Sequence, residues 1–176
     1  MGDSKLYYFL LRDTQYANLH ALIRSEFDSP NNICPSSLDG DLAIVKSVIP
    51  PINLKPVSLI ENPIQLSGSE KRVQLTCRVA FDNRHRENII PSKLFPLEAL
   101  EKFSELSGLA AESEKCFSHF LGARKEQKFN IHNCFHLEGK FLITNFEKFK
   151  KVYDHGVGGR KSYGYGLIVI KGVNHE

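Results

Sequence analysis

The sequence lacks the features that define several specialised classes of protein. Its four cysteines are scattered without a CxxC pair, which argues against a disulfide framework and a zinc site of paired cysteines and fits a reducing cytosol. It contains no signal peptide and no apolar run of about eighteen residues, so we expect a cytoplasmic protein with no membrane partner. A net charge of only +3 does not by itself indicate a polyanionic partner.

Motifs for metal-dependent chemistry are also scarce. No cluster of carboxylates predicts a two-metal site, and the paired H-x-T motifs of two-histidine phosphoesterases are absent. His132, Cys134 and His136 share one face of a predicted strand and could ligate a metal, but a partly exposed strand face is the favoured explanation. We therefore expect no metal and no small-molecule cofactor.

The apolar residues of the first seventy positions predict a strand, a helix and a second strand. The aromatic run 5–12 is typical of a buried strand, and the helix is predicted to follow an N-cap at Asp13 or Thr14. One helical face carries apolar residues at spacings of three, four and four, namely Tyr16, Leu19, Ile23 and Phe27. Turn residues, a second strand and one or two edge strands are predicted at 29–40, 41–49 and 56–66.

The rest of the chain predicts the order β-α-β-β-α-β. The strand at 71–81 alternates cleanly between apolar and polar residues. The further predicted elements are one broken helix or two over 96–106 and 112–121, two strands around a Glu138–Gly139 turn, a helix between Asn145 and Gly156, and a strand at 164–171. This order is the split βαβ pattern. We therefore predict an α+β fold of two ferredoxin-like halves side by side, an abbreviated one at 1–70 and a second at 71–176.

A glycine-rich segment with two cations precedes the last predicted strand. It holds five glycines between Gly156 and Gly166, with Arg160 and Lys161 among them. A nucleotide-binding loop does not fit, because such loops follow a strand and open a helix, whereas here a helix ends and a strand begins. A plain turn explains Gly156 as a helix C-cap and two more of the glycines.

Gly164 and Gly166 favour a different explanation from a plain turn. They alternate within the predicted strand, where glycine weakens the ladder and often marks close approach by another backbone. Because cations are adjacent, we predict that this backbone is a nucleic acid, held by exposed N–H groups and by charge. The predicted RNA-binding residues of the segment are Gly158, Gly159, Arg160, Lys161 and Ser162. A plain turn remains the alternative.

This segment resembles the C-terminal glycine-rich loop of the CRISPR-associated RAMP superfamily. It is most similar to the repeat-processing endoribonucleases of type I-E Cascade complexes, in which a helix, Gly-aliphatic-Gly, a lysine, a serine and Gly-x-Gly precede an aliphatic strand. Members have two ferredoxin-like domains and a histidine on the first helix, where His20 stands in YANLHALIR. The tyrosine that lies three residues before this histidine is replaced by Ala17, with Tyr16 one place earlier. Residues 30–70 match the family poorly.

The resemblance implies metal-independent cleavage of CRISPR repeat RNA. The ribose 2′-hydroxyl attacks the next phosphate and leaves a 2′,3′-cyclic phosphate and a 5′-hydroxyl. His20 is then the general base or acid, Tyr16 a positioning group, and Arg24 or Lys161 a stabiliser of charge. The family also implies that the protein stays on the crRNA, often a hairpin, as a subunit of a Cascade-like complex.

The residues around His20 leave two interpretations open. At 100° per residue the ring lies at the margin of the apolar face, with Arg24 on its open side. A half-buried helix histidine that only packs its ring fits this position. A histidine between core and groove fits it equally, and such a group can exchange protons near neutral pH.

Further cations predict a groove for RNA. Arg72 and Arg78 share the polar face of the strand at 71–81. Others follow in adjoining segments, namely Arg84, His85, Arg86, Lys93, Arg124, Lys125 and Lys128. A solvated surface explains such charges equally well.

Two alternative functions also remain, a non-catalytic RAMP subunit and a general RRM-like RNA-binding protein. The strands lack the paired aromatic RNP motifs that an RRM-like protein would carry.

Overall fold

The computed structural model describes residues 3–16, 18–27, 34–57, 62–81, 96–127 and 130–176. The elements of the N-terminal half are β1 (Lys5–Leu10), a 3-10 turn (Leu11–Asp13), α1 (Leu19–Glu26), β2 (Ser36–Asp39) and β3 (Leu42–Ser47). Those of the C-terminal half are β4 (Arg72–Phe81), α2 (Pro96–Ser107), β5 (Leu109–Gln127), β6 (Asn130–Ile143), α3 (Phe146–His155), a 3-10 turn (Lys161–Tyr163) and β7 (Ile168–Asn174).

The strands form two antiparallel sheets. The first has the strand order β1-β3-β2, and the second has the order β5-β6-β4-β7. The second sheet and its two helices are a complete βαββαβ ferredoxin-like unit. The first has the same β-α-β-β beginning and is shorter. The predicted α+β fold of two ferredoxin-like halves, the first abbreviated, is therefore confirmed.

Each half has its own apolar core. In the C-terminal half, alternate residues of β4 from Val73 to Phe81 are buried together with Phe103 of α2 and Phe149 of α3. In the N-terminal half, α1 packs Leu22 and other apolar residues against β1 and β3. Alternation along β4 places its polar residues on the opposite face of the sheet, as predicted.

The first helix begins later than predicted. Asn18 is its N-cap, and its side-chain oxygen accepts a hydrogen bond from the backbone N–H of Ala21. The predicted N-cap residue Asp13 instead ends the 3-10 turn, and Thr14 follows that turn. The predicted start is therefore wrong, and Tyr16 precedes the helix.

Three segments form strands where the sequence predicts something else. Residues 112–121 lie in β5 instead of a helix, and the predicted Glu138–Gly139 turn lies inside β6. The alternation of buried residues continues through Gly139, which pairs with Leu75 of β4. Residues 36–39 form β2 where only turn residues were expected, and they pair with β3. Strong pairing with neighbouring strands overrides the weak local pattern in all three.

Smaller differences concern strand ends. The last strand begins at Ile168 instead of Gly164 and continues to Asn174. No strand forms at residues 56, 57 or 62–66, so the predicted edge strands are wrong for these described positions. Residues 58–61 lie outside the described part of the chain. The predictions for α3 are confirmed, with Asn145 as N-cap and Gly156 as C-cap.

Candidate active site at the junction of the two halves

The glycine-rich segment, residues 156–167, bonds to strands of both sheets. The backbone N–H of Gly166 donates to the carbonyl of Arg78 in β4 at 2.6 Å, and that of Gly159 donates to Ala80 at 3.4 Å. Gly166 also forms an isolated parallel bridge with Ser36 of β2. The segment therefore lies in the junction where the abbreviated half meets the complete one.

Gly164 and Gly166 lie outside the last strand and have positive φ angles, +102° and +90°. A Cβ atom on Gly166 would lie 2.6 Å from the carbonyl oxygen of Val157, and one on Gly164 would contact Leu38 at 3.3 Å. The predicted close approach of another backbone is therefore present at Gly166, but that backbone is the protein's own, at Val157. These two glycines give no evidence for a nucleic acid.

The exposed part of the segment lies at Gly158 and Gly159. A Cβ atom on Gly159 would meet nothing within 4 Å. Arg160 follows with a left-handed backbone, φ 56° and ψ 36°, and caps the 3-10 turn that begins at Lys161. Positions 158–160 are thus the part of the segment that another molecule can approach.

Lys161 and the turn that it begins are held from both halves. The buried hydroxyl of Ser36 in β2 donates a hydrogen bond to the carbonyl of Lys161. The stem of Lys161 lies across Gly156 and Gly166, whose missing side chains leave room for it. Burial of the ammonium group lowers the pKa of Lys161.

His20 of α1 lies directly against this turn. Its Nδ1 atom is 2.8 Å from the hydroxyl oxygen of Ser162. Its ring stacks on Tyr163, with centroids 4.3 Å apart and planes 1° apart. His20 is half-buried, whereas Ser162 is only 6% exposed. The histidine of the first half is therefore packed against the glycine-rich segment of the second, and two consecutive residues hold its ring.

Tyr16 does not share a helical face with His20, because α1 begins three residues after it. Its hydroxyl donates to Glu26 at 3.3 Å. Burial alone raises the pKa of Glu26, but hydrogen bonds from the backbone N–H groups of Leu54 and Asn53 outweigh burial and lower it. Tyr16 therefore braces a buried carboxylate at the far end of α1.

The tyrosine that contacts His20 is Tyr163, which the sequence analysis missed. Ser36, whose hydroxyl holds the turn, was not predicted either. The family resemblance implied a tyrosine shortly before His20 in the sequence, and Tyr16 was the residue nearest to that position. The available signal was the position of Tyr163 directly after Ser162, in the segment already predicted to carry function.

Outside the glycine-rich segment, three predicted cations have described side chains, and their surroundings differ. Arg24 is exposed on α1, one turn after His20. The guanidinium of Arg78 donates to the carbonyl of Leu38 in β2 and so joins the two halves. Arg72 lies about 20 Å away along β4, where it pairs with Glu112 at 2.6 Å. The structure therefore does not bring Arg72 to the junction.

Other predicted residues bear less on the site. Arg84, His85, Arg86, Lys93 and Lys128 lie outside the described residues. Arg124 and Lys125 belong to β5. Of the candidate metal ligands, Cys134 is buried and donates to the Tyr165 hydroxyl at 3.0 Å, and His136 lies 3.6 Å from Glu138. In the described part of the chain, no three His, Cys, Asp or Glu side chains come together as a metal site.

A buried lysine makes a second contact between the halves. Lys46 of β3 donates to the carbonyl of Tyr153 in α3 and lies 3.6 Å from the centre of its ring. Burial lowers the pKa of Lys46 to about 8, although Asp154 opposes this at 4.0 Å. The junction thus has contacts at both the glycine-rich segment and α3, which together fix α1 relative to the segment.

The fold and the junction define a class, a double ferredoxin-like protein with a histidine held against a glycine-rich segment. Residues 94–171 match the model of a family described as CRISPR associated protein. No curated protein sequence matches the chain. No helix of the described residues is long and apolar enough to cross a membrane.

Solved structures of CRISPR-associated proteins have the same fold, and three of them illustrate this. Thermus thermophilus Cse3, bound to an RNA representing a pre-cleavage complex, has 14% identity and a TM-score of 0.72, covering 97% of this chain and 100% of that one. Escherichia coli K-12 Cas6e, a CRISPR-associated protein, has 12% identity and a TM-score of 0.60, covering 95% and 97%. A chain of a CRISPR RNA-guided surveillance complex has 13% identity and a TM-score of 0.58, covering 94% and 98%. The resemblance to CRISPR-associated proteins is therefore confirmed in the fold, and in the family model over residues 94–171.

Proposed function

We propose that the protein is a metal-independent endoribonuclease that cleaves CRISPR repeat RNA and then stays bound to the product. The observation that carries this proposal is the position of His20. An imidazole from one half lies 2.8 Å from Ser162 and stacks on Tyr163 of the other half, beside an exposed glycine-rich surface. A helix histidine that served only the core of its own half has no need of these contacts.

The reaction uses a nucleophile that the RNA itself brings. The 2′-hydroxyl oxygen bonds to the adjacent phosphorus, the bond from phosphorus to the 5′ oxygen breaks, and a 2′,3′-cyclic phosphate remains. One proton leaves the 2′-hydroxyl and another reaches the departing 5′ oxygen, which becomes a hydroxyl. The protein must align these atoms, exchange the protons and stabilise charge on the phosphate. Histidine titrates near neutral pH and can exchange the protons.

The remaining predicted residues have supporting roles. Arg160 and Lys161 lie next to Ser162 and supply positive charge toward the phosphate, and exposed Arg24 adds charge one turn from His20. Gly158 and Gly159 let the RNA backbone approach closely. We assign Tyr16 a positioning role, through its contact with Glu26 at the end of α1.

The RNA partner is a CRISPR repeat, and the other partners are subunits of a Cascade-like complex. A-form RNA is bound mainly through its shape and its phosphates, which suits a surface that carries cations. The relatives support this proposal, since one is bound to an RNA that represents a pre-cleavage complex and another is part of a surveillance complex.

The central test is cleavage of the cognate repeat RNA in the presence of EDTA. We expect wild-type protein to cut once and the His20→Ala variant to bind the RNA and leave it intact. His155→Ala is the matched control, because His155 is exposed at the end of α3 and should be dispensable. A 2′-deoxy nucleotide at the cut site should also prevent cleavage.

Three results would contradict the proposal in different ways. Cleavage that persists in His20→Ala shows that His20 is not a catalytic residue. Cleavage that stops with EDTA indicates a metal-dependent mechanism. Wild-type protein that binds its repeat and never cuts it is a non-catalytic RNA-binding subunit.

A further inference from the structure

Ser162 and Tyr163 together leave the ring of His20 little freedom. The Tyr163 ring, parallel to the imidazole at 4.3 Å, fixes the plane of the ring. The Ser162 hydroxyl, 2.8 Å from Nδ1, fixes the orientation of the ring within that plane. The nitrogen that faces Ser162 is therefore determined, and the nitrogen on the other side of the ring is Nε2.

The backbone around Ser162 is itself constrained. Arg160 and Gly164 cap its 3-10 turn, both with left-handed backbone angles. The hydroxyl of Ser36 holds the turn at Lys161, and Ser36 is fully buried. The Ser162 hydroxyl is thus presented to His20 from a rigid frame and is itself only 6% exposed.

A serine hydroxyl can fix which imidazole nitrogen keeps its proton. Its oxygen can accept a hydrogen bond from Nδ1–H both in the neutral tautomer protonated on Nδ1 and in the charged ring, whereas in the other neutral tautomer the hydroxyl donates to Nδ1. If Nδ1 keeps its proton in both states, Nε2 is the nitrogen that gains and loses one. In the opposite tautomer Nε2 already carries a proton and cannot act as a base.

We propose that Ser162 is a positioning residue whose hydroxyl oxygen accepts a hydrogen bond from Nδ1–H of His20, keeps that proton on Nδ1 and so makes Nε2 the atom that exchanges protons with the RNA. The inference rests on the proposed nuclease function for its role in the reaction. The structural claim, that Ser162 sets the tautomer of His20, does not depend on that function, because the tautomer can be measured without RNA.

The first measurement is a long-range ¹H–¹⁵N correlation spectrum of labelled wild-type protein at alkaline pH, where imidazole side chains are neutral. The His20 signals are assigned by their loss in His20→Ala. We expect the proton on Nδ1 in the wild type and a larger share on Nε2 in Ser162→Ala. A wild-type His20 protonated on Nε2 overturns the proposal, as does a spectrum that Ser162→Ala leaves unchanged.

The second measurement is single-turnover cleavage by the same variants. Ser162→Ala should lower the rate constant of cleavage about three- to tenfold, the range expected for one lost hydrogen bond, with RNA affinity changed less than about twofold. Ser107→Ala is the matched control, because Ser107 is also buried and its hydroxyl donates to the carbonyl of Phe103 in α2, away from the junction. It should match wild type in both rate and affinity.

The two measurements separate the failure of each proposal. If wild-type protein never cleaves RNA, the proposed function is wrong, and the spectrum still decides whether Ser162 sets the tautomer of His20. If wild type cleaves and Ser162→Ala cleaves at the same rate, the nuclease function stands and the role of Ser162 is wrong. If Ser162→Ala and Ser107→Ala lower the cleavage rate constant equally, the loss reports general destabilisation, and the positioning role of Ser162 is again wrong.

Discussion

The two ends of strand β4 carry the same kind of residue and have different roles. Arg78 and Arg72 occupy the same face of the strand. Arg78 donates to the carbonyl of Leu38 and joins the two halves, whereas Arg72 pairs with Glu112 and with the carbonyl of Glu176. Alternation along a strand therefore predicts which face a cation shares, but the packing at each end decides what it contacts.

The glycines next to the two ends of β4 differ in the same way as the two arginines. At the Arg78 end, Gly166 bonds to β4 with a positive φ angle and lies against the backbone of Val157. At the Arg72 end, Gly172 pairs with Gln74 inside β7, and a Cβ atom there would meet nothing within 4 Å. Glycine is thus required at the junction and dispensable at the other end.

The largest expected effect is that of Gly166→Ala. The substitution places a Cβ atom 2.6 Å from the Val157 carbonyl oxygen, at a φ angle that L-residues rarely adopt. We expect the free energy of unfolding to fall by about 3 kcal/mol, measured by urea denaturation. Gly172→Ala is the control and should leave it equal or slightly higher. Equal losses in both variants would show that the two ends do not differ.

The second comparison is Arg78→Ala against Arg72→Ala. Removing Arg78 takes a charged donor from the carbonyl of Leu38 and should lower the free energy of unfolding by about 2 kcal/mol. Removing Arg72 breaks a surface ion pair and should cost less than about 1 kcal/mol. The measurement is again urea denaturation. A larger loss of unfolding free energy in Arg72→Ala than in Arg78→Ala would contradict the inference that Arg78, and not Arg72, joins the two halves.

The third comparison concerns RNA binding and should give the smallest effect. Replacing Arg160 and Lys161 together with alanine should weaken binding of repeat RNA about tenfold and lower the salt dependence of the association constant. Arg72→Ala should change neither quantity, because that guanidinium is paired with Glu112. Titrations at several salt concentrations measure both. An unchanged slope in the double variant would reduce the glycine-rich segment to a structural turn.

Local signals in the sequence predicted some elements well. The alternation of β4 and the two caps of α3 depend only on neighbouring residues, and both are confirmed. The arrangement of two ferredoxin-like halves followed from element order, even though residues 112–121 were assigned to a helix and are part of β5. Two errors cancelled in the number of strands. Residues 112–121, predicted as helix, belong to strand β5, and the two strands predicted around Glu138–Gly139 are the single strand β6.

The candidate site was predictable only in part. The sequence singled out His20 and the glycine-rich segment as separate features 136 positions apart, counted from His20 to Gly156. The expected helical face shared by Tyr16 and His20 does not form, because Tyr16 precedes α1, and the ring that stacks on His20 is that of Tyr163. Tyr163 and Ser36 have no local signal that links them to His20.

The sequence by itself determined the alternating strands, the capped helix α3 and the residue types that suit RNA cleavage, since these depend on periodicity and on side-chain chemistry. Tertiary structure alone decided that His20 meets Ser162 and that Arg78, unlike Arg72, lies at the junction. The physical reason is that these contacts join residues far apart in the chain. Their formation depends on how two separate cores pack together, and no local pattern encodes that.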